Sequence, residues 1–333
     1  MSFSFNFQIG SNVSGSVGKA GPAPLEEDGK EGECEPHLVK AERVVYDEAS
    51  DRVAQAFPVS DVEIFPRHFL RKTNFQPSKV PEEDRRWAQP ELKSVLSDSD
   101  VRPAVYEGGF KLWECALDLI SFLHHSGFHA DGLSILDLGC GHGLPGIFCL
   151  NQSARHVAFQ DFNADVLRYV TCRNLLLNTS LLPHQLLRGD EPSSGHVPLP
   201  PAQLVAGSWS DTKLWELLGE ASYDVILSAD TLYSVASMPH FLRVIKRLLR
   251  RPHPSLLSNS HHDHHCSSTP HDHHSSSTPF ALVAAKRFYF GVGGSTLEFR
   301  KLVERDGEMM ATVVKTLEDG VSNIREIIKL TWQ

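Results

Sequence analysis

The sequence predicts an α/β fold in which a doubly wound, mostly parallel sheet carries helices on both faces. From about residue 101, short apolar runs typical of strands alternate with segments of helical spacing. A glycine-rich turn joins the first of these strands to a helix, and two apolar runs close the chain as an antiparallel hairpin. This alternation is typical of a parallel sheet with crossover helices.

The individual elements follow from local spacing. In the first helix the apolar residues Cys115, Leu119 and Phe122 recur every three or four positions, and Ser237 followed by Pro239 is a helix start signal. We predict helices over residues 111–125, 164–178, 237–250 and 296–307. We predict strands over residues 134–139, 156–161, near 184–188, 223–230, 280–286, 308–317 and 324–332.

The composition excludes several classes of protein. The 333 residues are 41% hydrophobic and 22% charged, and no apolar run reaches the length of a membrane span. The net charge of −9 argues against a broad nucleic-acid interface and favours a basic protein partner. The opening segment has no basic region typical of a secretory signal, and the six cysteines form no C-x-x-C pair. We therefore expect reduced thiols in the cytoplasm and nucleus. A monomer is the expected state, although the sequence leaves the oligomeric state open.

Composition also divides the chain. Residues 1–56 form an acidic region that we expect to be mostly disordered, because a stretch rich in Gly, Ser, Pro and acids buries too little apolar surface. Residues 57–100 form an extension with extended segments that pack on the domain. Residues 101–333 form the main domain, with a His/Ser-rich insertion at 252–279.

The insertion contains a tandem nine-residue repeat, HDHHCSSTP followed by HDHHSSSTP. Seven histidines within residues 261–274 suggest a metal-binding tract. Structural zinc sites need fixed geometry and supporting contacts, which a Ser/Thr/Pro-rich loop does not offer. We favour an expanded surface loop and expect no functional metal.

The glycine-rich turn, SILDLGCGHGLPGI at residues 134–147, predicts a ligand site. Glycines let backbone amides approach a ligand at a helix N-terminus. The segment from Gly141 to Gly146 matches the dinucleotide pattern G-x-G-x-x-G, with Asp161 about 20 residues later. The wider pattern favours S-adenosylmethionine, since Asp137 would meet the charged amino-acid end and Asp161 the ribose hydroxyls. A turn without any ligand is the third alternative.

Six separate blocks carry a resemblance to a known family. They are VYEGGFKLWEC, LDLGCGHG, FQDFN, GSWSD, SADTLY and FYFGVGG. Together they resemble the seven-β-strand methyltransferases, and most closely the histidine protein methyltransferases, over about residues 100–333. The resemblance implies a Rossmann-like, doubly wound, seven-stranded, mostly parallel sheet with a C-terminal antiparallel hairpin, and S-adenosyl-L-methionine as cofactor.

The resemblance also implies the site. Trp113, Glu114 and Cys115 would lie against the methionine end of the cofactor, Phe162 would stack near adenine, and Ser228 would contact the methionine portion. The full set of cofactor-binding residues that it implies is Lys111, Leu112, Trp113, Glu114, Cys115, Asp137, Gly139, Gly141, Gln160, Asp161, Phe162, Gly207, Ser208, Trp209 and Ser228. A core aromatic is the alternative for Trp113.

Asp230 and Tyr233 match the D-x-x-Y pattern of the family's protein-modifying branch and are the implied catalytic residues. A neutral imidazole has one acceptor and one donor nitrogen. Asp230 would accept the Nδ1–H of the target histidine, leaving Nε2 to take the methyl group. A cap on a local turn is the alternative for Asp230. A lysine methyltransferase of the same branch and a non-catalytic scaffold or chaperone are the alternative functions.

The family implies a partner as well. Its histidine methyltransferases act on a large-subunit ribosomal protein, and an acidic enzyme suits such a basic substrate. This partner places the protein in the cytoplasm and nucleus, including the nucleolus. Residues 288–294, FYFGVGG, form either a mobile loop facing the substrate or a tight turn between strand and helix.

Overall fold

The computed structural model describes residues 39–45, 47–80, 101, 106–181, 201–252, 278–320 and 323–333. Its strands are β1 (Glu42–Arg43), β2 (Val59–Phe65), β3 (His68–Thr73), β4 (Ser134–Leu138), β5 (His156–Asp161), β6 (Ala202–Ala206), β7 (Val225–Ala229), β8 (Phe280–Lys286), β9 (Met309–Leu317) and β10 (Arg325–Trp332). Its helices are α1 (Glu48–Gln55), α2 (Glu114–His125), α3 (Leu144–Leu150), α4 (the joined segments Ala164–Val166, Leu167–Thr171 and Cys172–Asn178), α5 (Lys213–Leu218), α6 (Met238–Leu248) and α7 (Thr296–Asp306). Among these helices, none has both the length and the apolar character needed to span a bilayer.

Most strands form one large sheet with the order β1-β6-β5-β4-β7-β8-β10-β9. Strands β6, β5, β4, β7 and β8 are parallel, whereas β10 runs antiparallel between β8 and β9. The predicted doubly wound, mostly parallel sheet with a C-terminal antiparallel hairpin is confirmed. The two-residue β1 pairs antiparallel with β6 and adds an eighth strand to the seven that were expected.

Two elements of the main domain were not predicted. Strand β6 pairs with β5 along its whole length, although its five residues follow a proline-rich run and give little local signal. The strand predicted near 184–188 lies outside the described residues. Helix α5 has only six residues, too few for a helical repeat to be recognised.

The core lies in two layers, one on each face of the sheet. Helices α2, α3 and α4 cover one face, where Leu119, Ile147 and Leu175 are fully buried. Helices α5, α6 and α7 cover the other, where Phe241 and Phe299 pack with ring centroids 5.6 Å apart. Burial of this kind stabilises by about 1.5–3 kcal/mol for each large apolar side chain.

The N-terminal part packs onto the first layer. Extended segments were expected over residues 57–72, and the structure pairs β2 and β3 there as an antiparallel hairpin, which was not predicted. Asn174 of α4 accepts a hydrogen bond from the backbone of Thr73 at 2.7 Å. Both β1 and α1 lie within residues 1–56, where mostly disorder was expected, so regular structure begins before residue 57. Most of the His/Ser-rich insertion, at residues 253–277, lies outside the described residues.

Candidate active site

A cavity of about 550 Å³ lies at the carboxyl ends of the parallel strands. From β4 the sheet is built outward in two directions, through β5 and β6 on one side and through β7 and β8 on the other. The loops that follow β4 and β7 therefore diverge and leave a crevice, which is where open α/β sheets bind ligands. The volume is within the range of about 300–1,000 Å³ that is usual for small-molecule sites.

Most of the predicted site residues line this cavity. They are Lys111, Leu112, Trp113, Asp137, Gly139, Gly141, Asp161, Phe162, Gly207, Ser208, Trp209, Asp230 and Tyr233. The predicted residues outside the lining are Glu114, Cys115, Gln160 and Ser228. The individual roles assigned to all of them stay predictions.

The glycine-rich turn joins β4 to α3 through a backbone conformation that residues with a side chain rarely adopt. Gly139 has a φ of 68°, and a Cβ atom there would lie 2.6 Å from Cγ2 of Thr231. Gly146 lets α3 approach β5, because a Cβ atom there would lie 2.4 Å from Cε1 of Phe159. Both positions therefore require glycine, one for the turn and one for close helix–strand packing.

Asp137 places a carboxylate under this turn. Residues alternate across β4, and Asp137 shares the side of Ile135, beneath α3. Its Oδ2 accepts a hydrogen bond from the backbone amide of Gly146 at 2.9 Å, and the residue is 1% exposed. Burial raises the pKa of Asp137 to about 8, since desolvation disfavours the charged form. A cationic group in the cavity would reverse this effect.

Asp161 is the second buried carboxylate of the cavity wall. It accepts backbone hydrogen bonds from Gly141 at 2.9 Å and from Asn163 at 3.0 Å. Burial raises the pKa of Asp161 to about 6, although the backbone hydrogen bonds act in the opposite direction. The turn after β4 and the loop after β5 are thus joined through this one side chain.

Gln160 lies behind the cavity wall and connects the loop after β4 to the loop after β6. Its Oε1 accepts from the indole of Trp209 at 2.9 Å and from the amide of Gly139 at 3.3 Å. Its Nε2 donates to the carbonyl of Gly207 at 2.9 Å. The side chain thus supports residues that line the cavity, and the predicted contact of Gln160 with a cofactor stays a prediction.

Asp230 occupies an unusual backbone position directly after β7. Its φ is 57°, in the left-handed region that Asp tolerates better than most residues. Oδ2 accepts from the backbone amide of Cys115 at 3.1 Å, and Oδ1 accepts from the hydroxyl of Tyr289 at 2.8 Å. Since the N-cap residue Trp113 makes no side-chain cap, Asp230 caps α2 from a distant part of the chain. The side-chain hydrogen bonds that the structure describes for Asp230 go to distant residues and not to its own turn.

Glu114 and Ser228, which were also predicted at the site, support the cavity wall from behind. Lys286 is 4% exposed, and its Nζ lies 3.3 Å from Glu114 and 3.9 Å from Asp230. Burial raises the pKa of Glu114, with Lys286 acting in the opposite direction. Ser228 donates to the carbonyl of Leu138 at 2.7 Å and so ties β7 to β4. These contacts position the cavity wall from behind.

One lining residue that the sequence analysis did not select is Glu107. Glu107 belongs to the block VYEGGFKLWEC, and its place in that block was the signal that could have identified it as a site residue. The hydroxyl of Tyr233 donates a hydrogen bond to its carboxylate. This contact joins the segment before α2 to the loop after β7, two parts of the chain 126 positions apart. His142, Thr231 and His240 are further lining residues that were not selected.

Residues 288–294 form a hydrogen-bonded turn against the loop after β7. The amide of Tyr289 donates to Gly294 at 2.9 Å, and the amide of Gly294 donates to Tyr233 at 3.1 Å. Gly294 approaches so closely that a Cβ atom there would lie 2.1 Å from the carbonyl oxygen of Leu232. Of the two alternatives for this segment, the described geometry is that of a tight turn.

Comparison with known proteins extends over most of the chain. It is 34% identical over 241 residues to a histidine protein methyltransferase 1 homolog of Dictyostelium discoideum, covering 72% of this chain and 63% of that protein. It is 30% identical over 272 residues to histidine protein methyltransferase 1 of Schizosaccharomyces pombe, covering 73% of this chain and 71% of that protein. The chain belongs to the histidine protein methyltransferase 1 family.

Within this family the chain is short relative to several members. It spans 63% of the length of the Dictyostelium discoideum relative and 60% of the Bos taurus relative, to which it is 30% identical. No protein-family model matches the chain. Among solved structures, magnesium protoporphyrin IX methyltransferase from Synechocystis PCC 6803 aligns with a TM-score of 0.41 at 12% identity, over 73% of this chain and 94% of that one. The fold assignment therefore depends on the strand order and not on this likeness.

Proposed function

We propose that this histidine protein methyltransferase 1 family member transfers a methyl group from S-adenosylmethionine to a histidine side chain of another protein. The family supports the reaction class, because its members carry that activity in their names. The single observation that carries the proposal to this chain is the buried carboxylate of Asp137, which lines the cavity and whose pKa burial raises to about 8. Such a group favours a ligand that brings a positive charge.

The chemistry of the lining residues fits the proposed methyl donor. S-adenosylmethionine carries an electrophilic methyl group on a sulfonium. Asp137 would hold its ammonium group, and Lys111 on the cavity wall has the charge that suits a carboxylate. Asp161 would accept from the ribose hydroxyls, while Phe162 and Trp209 offer ring faces for adenine.

The methyl acceptor must present a lone pair. A histidine side chain has an ordinary pKa of about 6.5, so most of it is neutral at pH 7. The proposed acceptor is Nε2, with Nδ1 keeping its proton. Positioning and exclusion of water by the protein supply much of the rate increase for such a transfer. Asp230 has both carboxylate oxygens in hydrogen bonds, so an imidazole contact there would be an additional one.

The proposed partner is a basic protein of the large ribosomal subunit. The net charge of −9 is complementary to such a substrate and would increase its association rate at low salt. A monomeric enzyme in the cytoplasm and nucleus, including the nucleolus, is consistent with that partner. No direct binding of nucleic acid is part of the proposal.

The test is methyl transfer from labelled S-adenosylmethionine to the proteins of a cell extract, followed by mass spectrometry of the modified peptides. We expect methylhistidine in a ribosomal protein. Methyllysine in place of methylhistidine would overturn the substrate proposal and favour the lysine methyltransferase. Donor binding without any transfer would favour the scaffold. Binding of NAD in place of S-adenosylmethionine would favour the dinucleotide alternative.

A further inference from the structure

Among the residues that the structure describes, four carboxylates line the cavity, and they differ in their hydrogen-bond partners. Asp137 accepts from the amide of Gly146, and Asp161 accepts from backbone amides of its own loop and of the glycine-rich turn. Asp230 accepts from the amide of Cys115 in the first turn of α2 and from the hydroxyl of Tyr289. These three residues are 1–7% exposed, and backbone groups fix them in place.

Glu107 is different. It is partly exposed, and its described contact with Tyr233 is between two side chains, one of them a hydroxyl that can rotate. The two residues come from opposite sides of the cavity: the amide of Glu107 donates to Asn163 at 3.2 Å, near Asp161, whereas Tyr233 follows β7. Because Glu107 is partly exposed and lines the cavity, an entering side chain that donates one proton can reach its carboxylate.

We propose that Glu107 accepts the Nδ1–H of the target imidazole and that Tyr233 positions Glu107. This inference rests on the proposed function and assigns the role that sequence reasoning gave to Asp230. A carboxylate accepts up to about four hydrogen bonds, so the Tyr233 contact and the imidazole contact are compatible. Glu107 thereby selects the tautomer whose Nε2 lone pair faces the methyl group.

The charges balance in this arrangement. The Nε2 lone pair forms the new nitrogen–carbon bond, and the carbon–sulfur bond breaks with its electron pair left on sulfur. The imidazole becomes an imidazolium that keeps the Nδ1 proton, which later passes to solvent. The negative charge of Glu107 stabilises that cation as it develops, in a partly desolvated site where such a contact is strengthened.

The test uses the full chain with Glu107→Gln, Tyr233→Phe and a control, Glu304→Gln, on the exposed surface of α7. Donor binding is measured by calorimetry, and transfer from labelled S-adenosylmethionine to extract proteins is measured as an initial rate. Mass spectrometry of digested products separates the two methylhistidine isomers. Glutamine keeps the shape and the acceptor oxygen, but its amide also donates, so both tautomers would be accepted.

We expect Glu107→Gln to lower the rate by about 10- to 100-fold, as for loss of one hydrogen bond to a charged group. The donor Kd should stay within about twofold, and a second methylhistidine isomer should appear. Tyr233→Phe should keep a single methylhistidine isomer with a smaller loss of rate, and Glu304→Gln should match wild type.

An unchanged rate and isomer ratio in Glu107→Gln, or a donor Kd that weakens in proportion to the rate, would overturn the assignment. A wild-type chain that yields no methylhistidine would instead disprove the proposed function, and the assignment with it.

Discussion

The carboxylate of Asp230 accepts a hydrogen bond from the backbone amide of Cys115, at the first turn of α2, across 115 positions of the chain. The same carboxylate accepts from the hydroxyl of Tyr289 and lies 3.9 Å from the buried Lys286. One side chain after β7 therefore holds the helix that begins beside Trp113, a residue of the cavity wall. This arrangement changes what a substitution at Asp230 is expected to do.

Asp230→Asn should destabilise the protein. The amide cannot accept all the contacts that the carboxylate does, and it leaves Lys286 with less compensating charge, so a loss of about 2–4 kcal/mol is expected. Urea unfolding at pH 7 would measure it. Glu298→Gln, which alters an exposed pair with Lys301, is the matched control and should stay within about 0.5 kcal/mol. An Asp230→Asn chain with wild-type stability and wild-type donor Kd but a much slower transfer would restore the direct role in catalysis.

Binding of S-adenosylmethionine at pH 7 should release nearly one proton. Asp137 has its pKa raised to about 8 by burial, so it is mostly protonated at pH 7, and a neighbouring ammonium group would ionise it. Calorimetry in buffers of different ionisation enthalpy measures the proton count. The release should fall towards zero at pH 9 and be absent in Asp137→Asn, whose donor affinity we expect to fall by about 10- to 100-fold. A proton count that Asp137→Asn leaves unchanged would contradict the role of Asp137.

The pKa of Asp137 also predicts how the free energy of unfolding depends on pH when no S-adenosylmethionine is bound. The pKa of Asp137 in the folded state is above its ordinary unfolded value of about 3.9, so between these values the folded state binds more protons and stability falls as pH rises. Asp161, with a pKa raised to about 6, acts in the same direction at lower pH. His142, with a pKa lowered to about 4 by burial, acts oppositely below about 6.5.

Between pH 7 and pH 8, comparison with Asp137→Asn isolates the contribution of Asp137. Wild type should lose about 1 kcal/mol of its free energy of unfolding over this interval through that carboxyl group. Asp137→Asn has no group to ionise there and should show a flatter profile in urea titrations. Parallel profiles for the two proteins would show that the carboxylate is not held in the unfavourable environment inferred from its burial.

Gln160→Leu should affect stability and donor binding together. It leaves the indole of Trp209, the amide of Gly139 and the carbonyl of Gly207 without their described partner. Unsatisfied buried groups cost about 1–3 kcal/mol each, with partial relief if water enters, so a total loss of about 2–4 kcal/mol is expected. Gln203→Leu removes a single hydrogen bond to Leu217 and serves as the control, with a loss of about 1 kcal/mol. Equal effects of the two substitutions would contradict the role of Gln160 in joining the loops after β4 and β6.

The sequence by itself determined the elements that depend on local pattern. Apolar runs predicted β4, β5, β7 and β8, helical spacing predicted α2, and a helix start signal at Ser237 and Pro239 predicted α6. The glycine-rich turn predicted the ligand edge of the sheet. These predictions succeed because side-chain periodicity and glycine geometry are properties of a few neighbouring residues. The candidate cavity was located for the same reason, since Asp137 lies near the end of β4, Asp161 ends β5 and Asp230 follows β7.

Only the tertiary structure decided which residues face the cavity and which support it. Gln160 and Ser228 stand at strand ends like their neighbours, yet they point to other loops and strands. Asp230 caps a helix that begins 115 positions earlier, and Glu107 meets Tyr233 across 126 positions. Contacts at such separations depend on how strands cross and how helices pack. No local sequence pattern predicts these long-range contacts, because a carboxylate that binds a ligand and one that caps a distant helix occupy the same kind of position in the sequence.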